Sequence, residues 1–151
     1  METLSKLFGS EAKVKIMRLF LFNPERVYDV ANISDRAKID QAHVRKEVIL
    51  LEKAGLIKSK NVHNRRKKGY VLDGHFGYLT PLQNFLINVE PLNPKEIVRR
   101  LSHLGSIKLI IVAGVFMQEP ESRVDLLVIG DHIKKASLEH AVKILESEIG
   151  K

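Results

Sequence analysis

The sequence contains no cysteine and no tryptophan, and only five prolines in 151 residues. Without cysteine there is no disulfide framework and no thiolate metal site, which leads us to expect a cytoplasmic protein. The six histidines, at 43, 63, 75, 103, 132 and 140, form no pair at i, i+3 or i+4 spacing. Neither a metal site nor any other cofactor is therefore expected. Long apolar runs are missing too. The longest, Leu109 to Val115, falls far short of the about 20 residues that a spanning helix needs. No basic region followed by an apolar stretch opens the chain, so neither a signal peptide nor a membrane partner is expected.

What is present suits a globular chain: 44% hydrophobic and 28% charged residues. The formal net charge of +7 is unevenly placed. Residues 1–75 hold 16 Lys and Arg against 9 Asp and Glu, which is the whole surplus, whereas residues 76–151 hold nine of each. Such asymmetry points to a polyanion-binding module joined to a neutral one.

Three segments follow: 1–75, a connecting stretch 76–93, and 94–151. In the first, Ser10 and Glu11 open a helix whose stripe is Val14, Met17, Phe20 and Leu21, and Asn23-Pro24 closes it. A short helix is expected from Asp29 to about Ala37, burying Val30 and Ile33. A third runs from the Asp40 cap to Lys53, with Val44, Val48 and Leu51 inward and Gly55 ending it. Leu56-Ile57 and Tyr70 to Leu72 read as strands of a hairpin, joined across Val62 to Gly69. Between Gly74 and Asn93, Leu79, Leu82, Phe85 and Leu86 predict one linking helix. Residues 94–151 read helix, strand, loop, strand, helix.

If Val44, Val48 and Leu51 face inward, Gln41, Ala42, Arg45 and Lys46 face outward, with His43 at the margin. A helix fits the major groove, and Gln and Arg carry the paired donors and acceptors that read adenine and guanine edges. The loop His63-Asn64-Arg65-Arg66-Lys67-Lys68 ends in four consecutive cations, which repel one another and weaken a hairpin unless an anion meets them. Lys58 and Lys60 flank the same surface.

Residues 10–73 resemble the winged helix-turn-helix of ArsR- and MarR-type regulators. The stretch from Asp40 to Lys58 is similar to that family's recognition helix, with its ending Leu51-Glu52-Lys53-Ala54-Gly55-Leu56-Ile57. The resemblance implies that Gln41, Ala42, His43, Arg45 and Lys46 enter the groove. It also implies that Lys58, Lys60, His63, Asn64, Arg65, Arg66, Lys67 and Lys68 act as the wing, with double-stranded DNA as partner.

Residues 105–130 resemble the minimal nucleotidyltransferase domain, whose signature is an apolar strand ending in Gly-Ser, a loop, and Asp-x-Asp on the next strand. Gly114 matches the Gly, but Val115 stands where Ser belongs, Arg123 replaces the first carboxylate, and only Asp125 matches the second. No later strand up to Lys151 supplies a third acid. One carboxylate beside an arginine does not hold a metal pair, so no enzymatic activity is expected. The implied fold class is α+β: an N-terminal winged helix-turn-helix plus a small, truncated α/β nucleotidyltransferase-like domain at the C-terminus. The implied function is transcription regulation. The second domain, with its apolar helix Leu138, Val142, Leu145 and Ile149, would serve dimerisation or the sensing of a small ligand or protein. The alternative is a nucleotidyltransferase that modifies nucleic acid or a partner protein.

Overall fold

The computed structural model describes residues 2–61, 68–87, 94–117 and 122–150. They form helices and two small antiparallel sheets, an α+β arrangement. Two units separate: residues 1–87 together with 146–151, and residues 88–145.

The first unit begins with a helix not anticipated from the sequence, α1 (Glu2–Phe8), whose Leu4 and Phe8 pack on the core. Helix α2 (Glu11–Phe22) starts where expected, with the Ser10 hydroxyl accepting from the Lys13 amide at 3.2 Å. It is buried on every side from Val14 to Leu21, charged residues included, because α1 and three later helices, Val30–Ala37, Gln41–Lys53 and Leu79–Ile87, all pack on it. A single apolar stripe was too modest a reading. Helix α3 (Val30–Ala37) is capped by Asp29, which accepts from Asn32 at 2.8 Å. Helix α4 (Gln41–Lys53) is capped by Asp40. Core side chains from these helices include Phe20, Ile33, Val44 and Val48, all fully buried.

The hairpin is longer than expected. Strand β1 (Ile57–Asn61) pairs antiparallel with β2 (Lys68–Leu72), from Ile57 opposite Leu72 to Asn61 opposite Lys68. Lys68 is thus a strand residue and not part of the loop. The strand ends were hidden because Lys58 to Asn61 are polar and exposed, which gives no apolar alternation to read. Tyr28 adds a bridge to Tyr70, with N–H to O distances of 2.9 and 2.8 Å.

Helix α5 (Leu79–Ile87) is the linking helix, yet it belongs to the first unit, with Leu86 fully buried there and Leu79 and Leu82 packed on the same core. Phe85, placed in the apolar stripe, is instead 43% exposed. The last turn of the chain also completes this unit. Arg18, 1% exposed, donates from Nε to the Leu86 carbonyl at 3.1 Å and from Nη1 to the Glu148 carbonyl at 2.9 Å. Asn23 Nδ2 donates to the Gly150 carbonyl at 2.9 Å. Gly150 has φ of 97°, and a Cβ there would lie 2.5 Å from the Arg18 carbonyl carbon, so no other residue fits without backbone movement.

In the second unit, α6 (Pro94–Leu101) passes through one 3₁₀ turn into β3 (Ser106–Val112). A turn at Gly114–Met117 follows, then β4 (Leu126–Asp131) and helix α7 (Lys135–Ile149), whose last residues belong to the first unit. The strands pair antiparallel, with an irregularity at Lys108. Leu109 opposite Ile129 and Ile111 opposite Leu127 share one face, and each is 43–46% exposed. On α7, whose apolar side was expected either to cover the two-stranded face or to meet a second subunit, Leu145 and Ile149 are fully buried within the chain and so are not free for a second subunit. Leu138 and Val142 are half-buried. No described helix is long and apolar enough to cross a membrane.

Candidate nucleic-acid interface

The N-terminal turn of α4 is organised by one side chain. The Asp40 carboxylate accepts from the Ala42 and His43 amides, both at 3.1 Å, and its second oxygen meets His43 Nδ1. These bonds to the ionised form hold the Asp40 carboxyl below its ordinary range, the His43 amide contributing most. The cap also fixes the rotation of the helix. Val44 and Val48 are fully buried and Leu51 nearly so, which turns Gln41, Ala42, His43, Arg45 and Lys46 to the exposed side. Gln41 Oε1 accepts from Arg45 Nη2 at 3.0 Å, so the two side chains with base-reading chemistry brace each other one turn apart.

Two features of α4 escaped the sequence reading. Glu47 lies on the buried side, 6% exposed, with Lys13 Nζ 3.7 Å from its Oε2. Ile49 and Leu50 extend the exposed face in apolar form, 48% and 43% exposed. The spacing Ala42, Arg45 or Lys46, Ile49 would have located the second feature. Nothing local distinguishes Glu47 from a solvated acid, because its partner comes from α2.

The flanking cations divide into two groups. Lys58 is bound to Asp73 at 3.0 Å, and Lys68 to Glu52 at 3.0 Å, with its ammonium 5.0 Å from the Tyr70 ring centre. The Lys58 hydrogen bond is the main cause that holds Asp73 below the ordinary carboxylate range, and the Lys68 bond does the same for Glu52. Arg45, Lys46 and Lys60 have no carboxylate within ion-pair distance among the described residues, and all three are exposed. His63, Asn64, Arg65, Arg66 and Lys67 lie outside the described residues.

In the second unit the structure brings Gly114 and Asp125 together. Gly114 has φ of 55°, and a Cβ on it would lie 2.0 Å from Asp125 Oδ1, so the carboxylate occupies the space directly over this glycine. Ala113 N–H donates to the Asp125 carbonyl at 2.9 Å. Arg123 is exposed. These residues do not fit a magnesium-bound nucleotide. The one carboxylate packs where phosphates would approach the Gly114 backbone, and the position of the first acid carries a cation. Among the described residues no three His, Asp or Glu side chains gather to hold a metal.

No family model, curated protein or solved structure matches the chain.

Proposed function

We propose that this chain is a DNA-binding transcriptional regulator that lays α4 in the major groove of duplex DNA. In this reading residues 1–75 are a winged helix-turn-helix, and His63 to Lys68 form a wing against the phosphates. The observation that carries it is the division of α4: one side is sealed into the core by Val44, Val48 and Leu51. The other leaves Gln41, Arg45 and Lys46 exposed with no acidic partner among the described residues. Gln and Arg at that place have the bidentate groups that discriminate base pairs, and Lys46 and Lys60 have charge for the backbone.

The second unit acts as a nucleotidyltransferase-like module without catalysis, serving self-association or sensing. The exposed aliphatic face of β3 and β4 supports a homodimer, the form in which such regulators read paired half-sites. The test is fluorescence anisotropy with duplexes selected from a random pool. Arg45→Ala is expected to weaken the selected duplex about tenfold or more and relax its sequence preference. Changing Arg65 to Lys68 to Ala is expected to weaken all duplexes alike and flatten the salt dependence. Selection that returns no consensus, with binding untouched by either change, overturns the reading.

A further inference from the structure

We propose that Arg26, Asn32 and Arg36 form an oxyanion site that takes a tetrahedral phosphate group, beside the α2–α3 connection of the first unit. The site is a pocket of about 340 Å³ lined by Arg26, Val27, Tyr28, Asn32, Asp35 and Arg36. Its floor is fixed. Tyr28 is held through both backbone groups by Tyr70, and its ring stands edge-on to Phe20 with centres 5.7 Å apart. The Arg36 guanidinium carbon lies 5.7 Å from the Tyr28 ring centre, so a half-buried cation rests on a rigid aromatic plate.

The charges around the pocket are arranged for an anion. Lys13, Lys15, Lys38, Lys58 and Lys68 of the same unit each have a carboxylate at 3.7 Å or closer. Arg26 and Arg36, like Arg45, Lys46 and Lys60, have none within ion-pair distance among the described residues, and these two line one pocket. The acidic side chain in the lining, Asp35, is engaged by Lys38 at 2.9 Å, and the neighbouring Asp29 carboxylate is spent on the α3 cap. Two guanidinium groups facing one space repel each other unless an anion sits between them, and their planar forks match the oxygens of a phosphate. Asn32 adds an exposed amide donor on the same side of α3.

The source of phosphate that we favour is the DNA backbone. This part of the proposal rests on the functional reading above, in which α3, as the first helix of the motif, crosses the backbone. A free phosphate is the other source, and the experiment separates them. The full chain and its Arg26→Gln/Arg36→Gln variant are titrated with duplex DNA across a salt series, and separately with inorganic phosphate followed by amide NMR shifts. Arg26 is exposed and Arg36 half-buried, so unchanged circular dichroism and melting serve as the folding control. For a backbone site, the variant loses about tenfold in affinity, keeps its sequence preference, and its salt slope falls by about one. For a free-anion site, duplex binding is unchanged, and inorganic phosphate shifts the Asn32 and Arg36 amides of the parent but not of the variant. If neither titration distinguishes the two proteins while Arg45→Ala still weakens duplex binding, the oxyanion site is wrong and the DNA reading stands. If the parent binds phosphate here but no duplex, the site stands and the DNA reading fails.

Discussion

The two hairpins of this chain have the same strand number and opposite surroundings. On β1 and β2, polar residues Lys58 to Asn61 face water, while Ile57, Tyr70, Val71 and Leu72 are sealed against helices. On β3 and β4, aliphatic residues occupy both faces, and Leu109, Ile111, Leu127 and Ile129 remain nearly half exposed. A two-stranded sheet is stable only when something covers a face. The first hairpin is finished by its own unit. The second has aliphatic surface beyond what its unit covers.

The sharpest break of that comparison is in the first core. Phe20→Ala is expected to cost about 3–5 kcal/mol, since the residue is fully buried on α2, the helix on which four others pack. In the second unit Leu101→Ala, at a site that is also fully buried, is expected to cost less, about 2 kcal/mol, because a leucine loses fewer packed atoms than a phenylalanine. Urea unfolding followed by circular dichroism reads both, and equal losses would remove the contrast. Arg18→Met is expected to cost about 3 kcal/mol. Burial already presses this guanidinium below its ordinary pKa while Glu148 opposes the shift, and in the variant the buried Glu148 loses that opposing charge. Hydrogen exchange should show the Glu146–Gly150 amides opening first in that variant.

Leu127→Lys combined with Ile129→Lys sharpens the comparison without unfolding anything. Stability should change by only about 0.5 kcal/mol, as at other surface positions, while any self-association seen by light scattering drops away. Matching changes at Ser59 and Asn61 should leave association untouched. The smallest effect concerns acid. Glu96 is held down to about 2, mainly by the Arg99 hydrogen bond and then by Arg100, from an ordinary 4.5. Its stabilisation of α6 is therefore complete above about pH 4.5 and is lost as pH falls toward 2. Glu96→Gln should flatten this part of an acid melting series, slightly less stable than the parent near neutrality and converging with it toward pH 2.

Elements carrying local signals were legible in the sequence. Ser10, Asp29 and Asp40 each marked a helix start, and the Val44, Val48, Leu51 spacing set the outward face of α4 correctly. What stayed hidden depends on distant partners. The buried charges Arg18 and Glu47 look like any surface cation and acid until α7 and α2 supply their neighbours. The polar ends of β1 gave no alternation, and α1 precedes the first strong cap. At the candidate site, residue types identified Gln41, Arg45 and Lys46. The neutralisation of Lys58 by Asp73 and of Lys68 by Glu52 was not readable, because each acid lies 15 or 16 positions from its lysine.

The tie between Arg18 and the carbonyl of Glu148 has a consequence for synthesis. At about 5–20 residues per second, ribosomes add the 61 residues from 88 through 148 in roughly 3–12 s. For that interval the nascent amino-terminal unit carries a guanidinium with one of its carbonyl acceptors not yet made. Its final closure comes after translation of residue 150, however early its other helices condense.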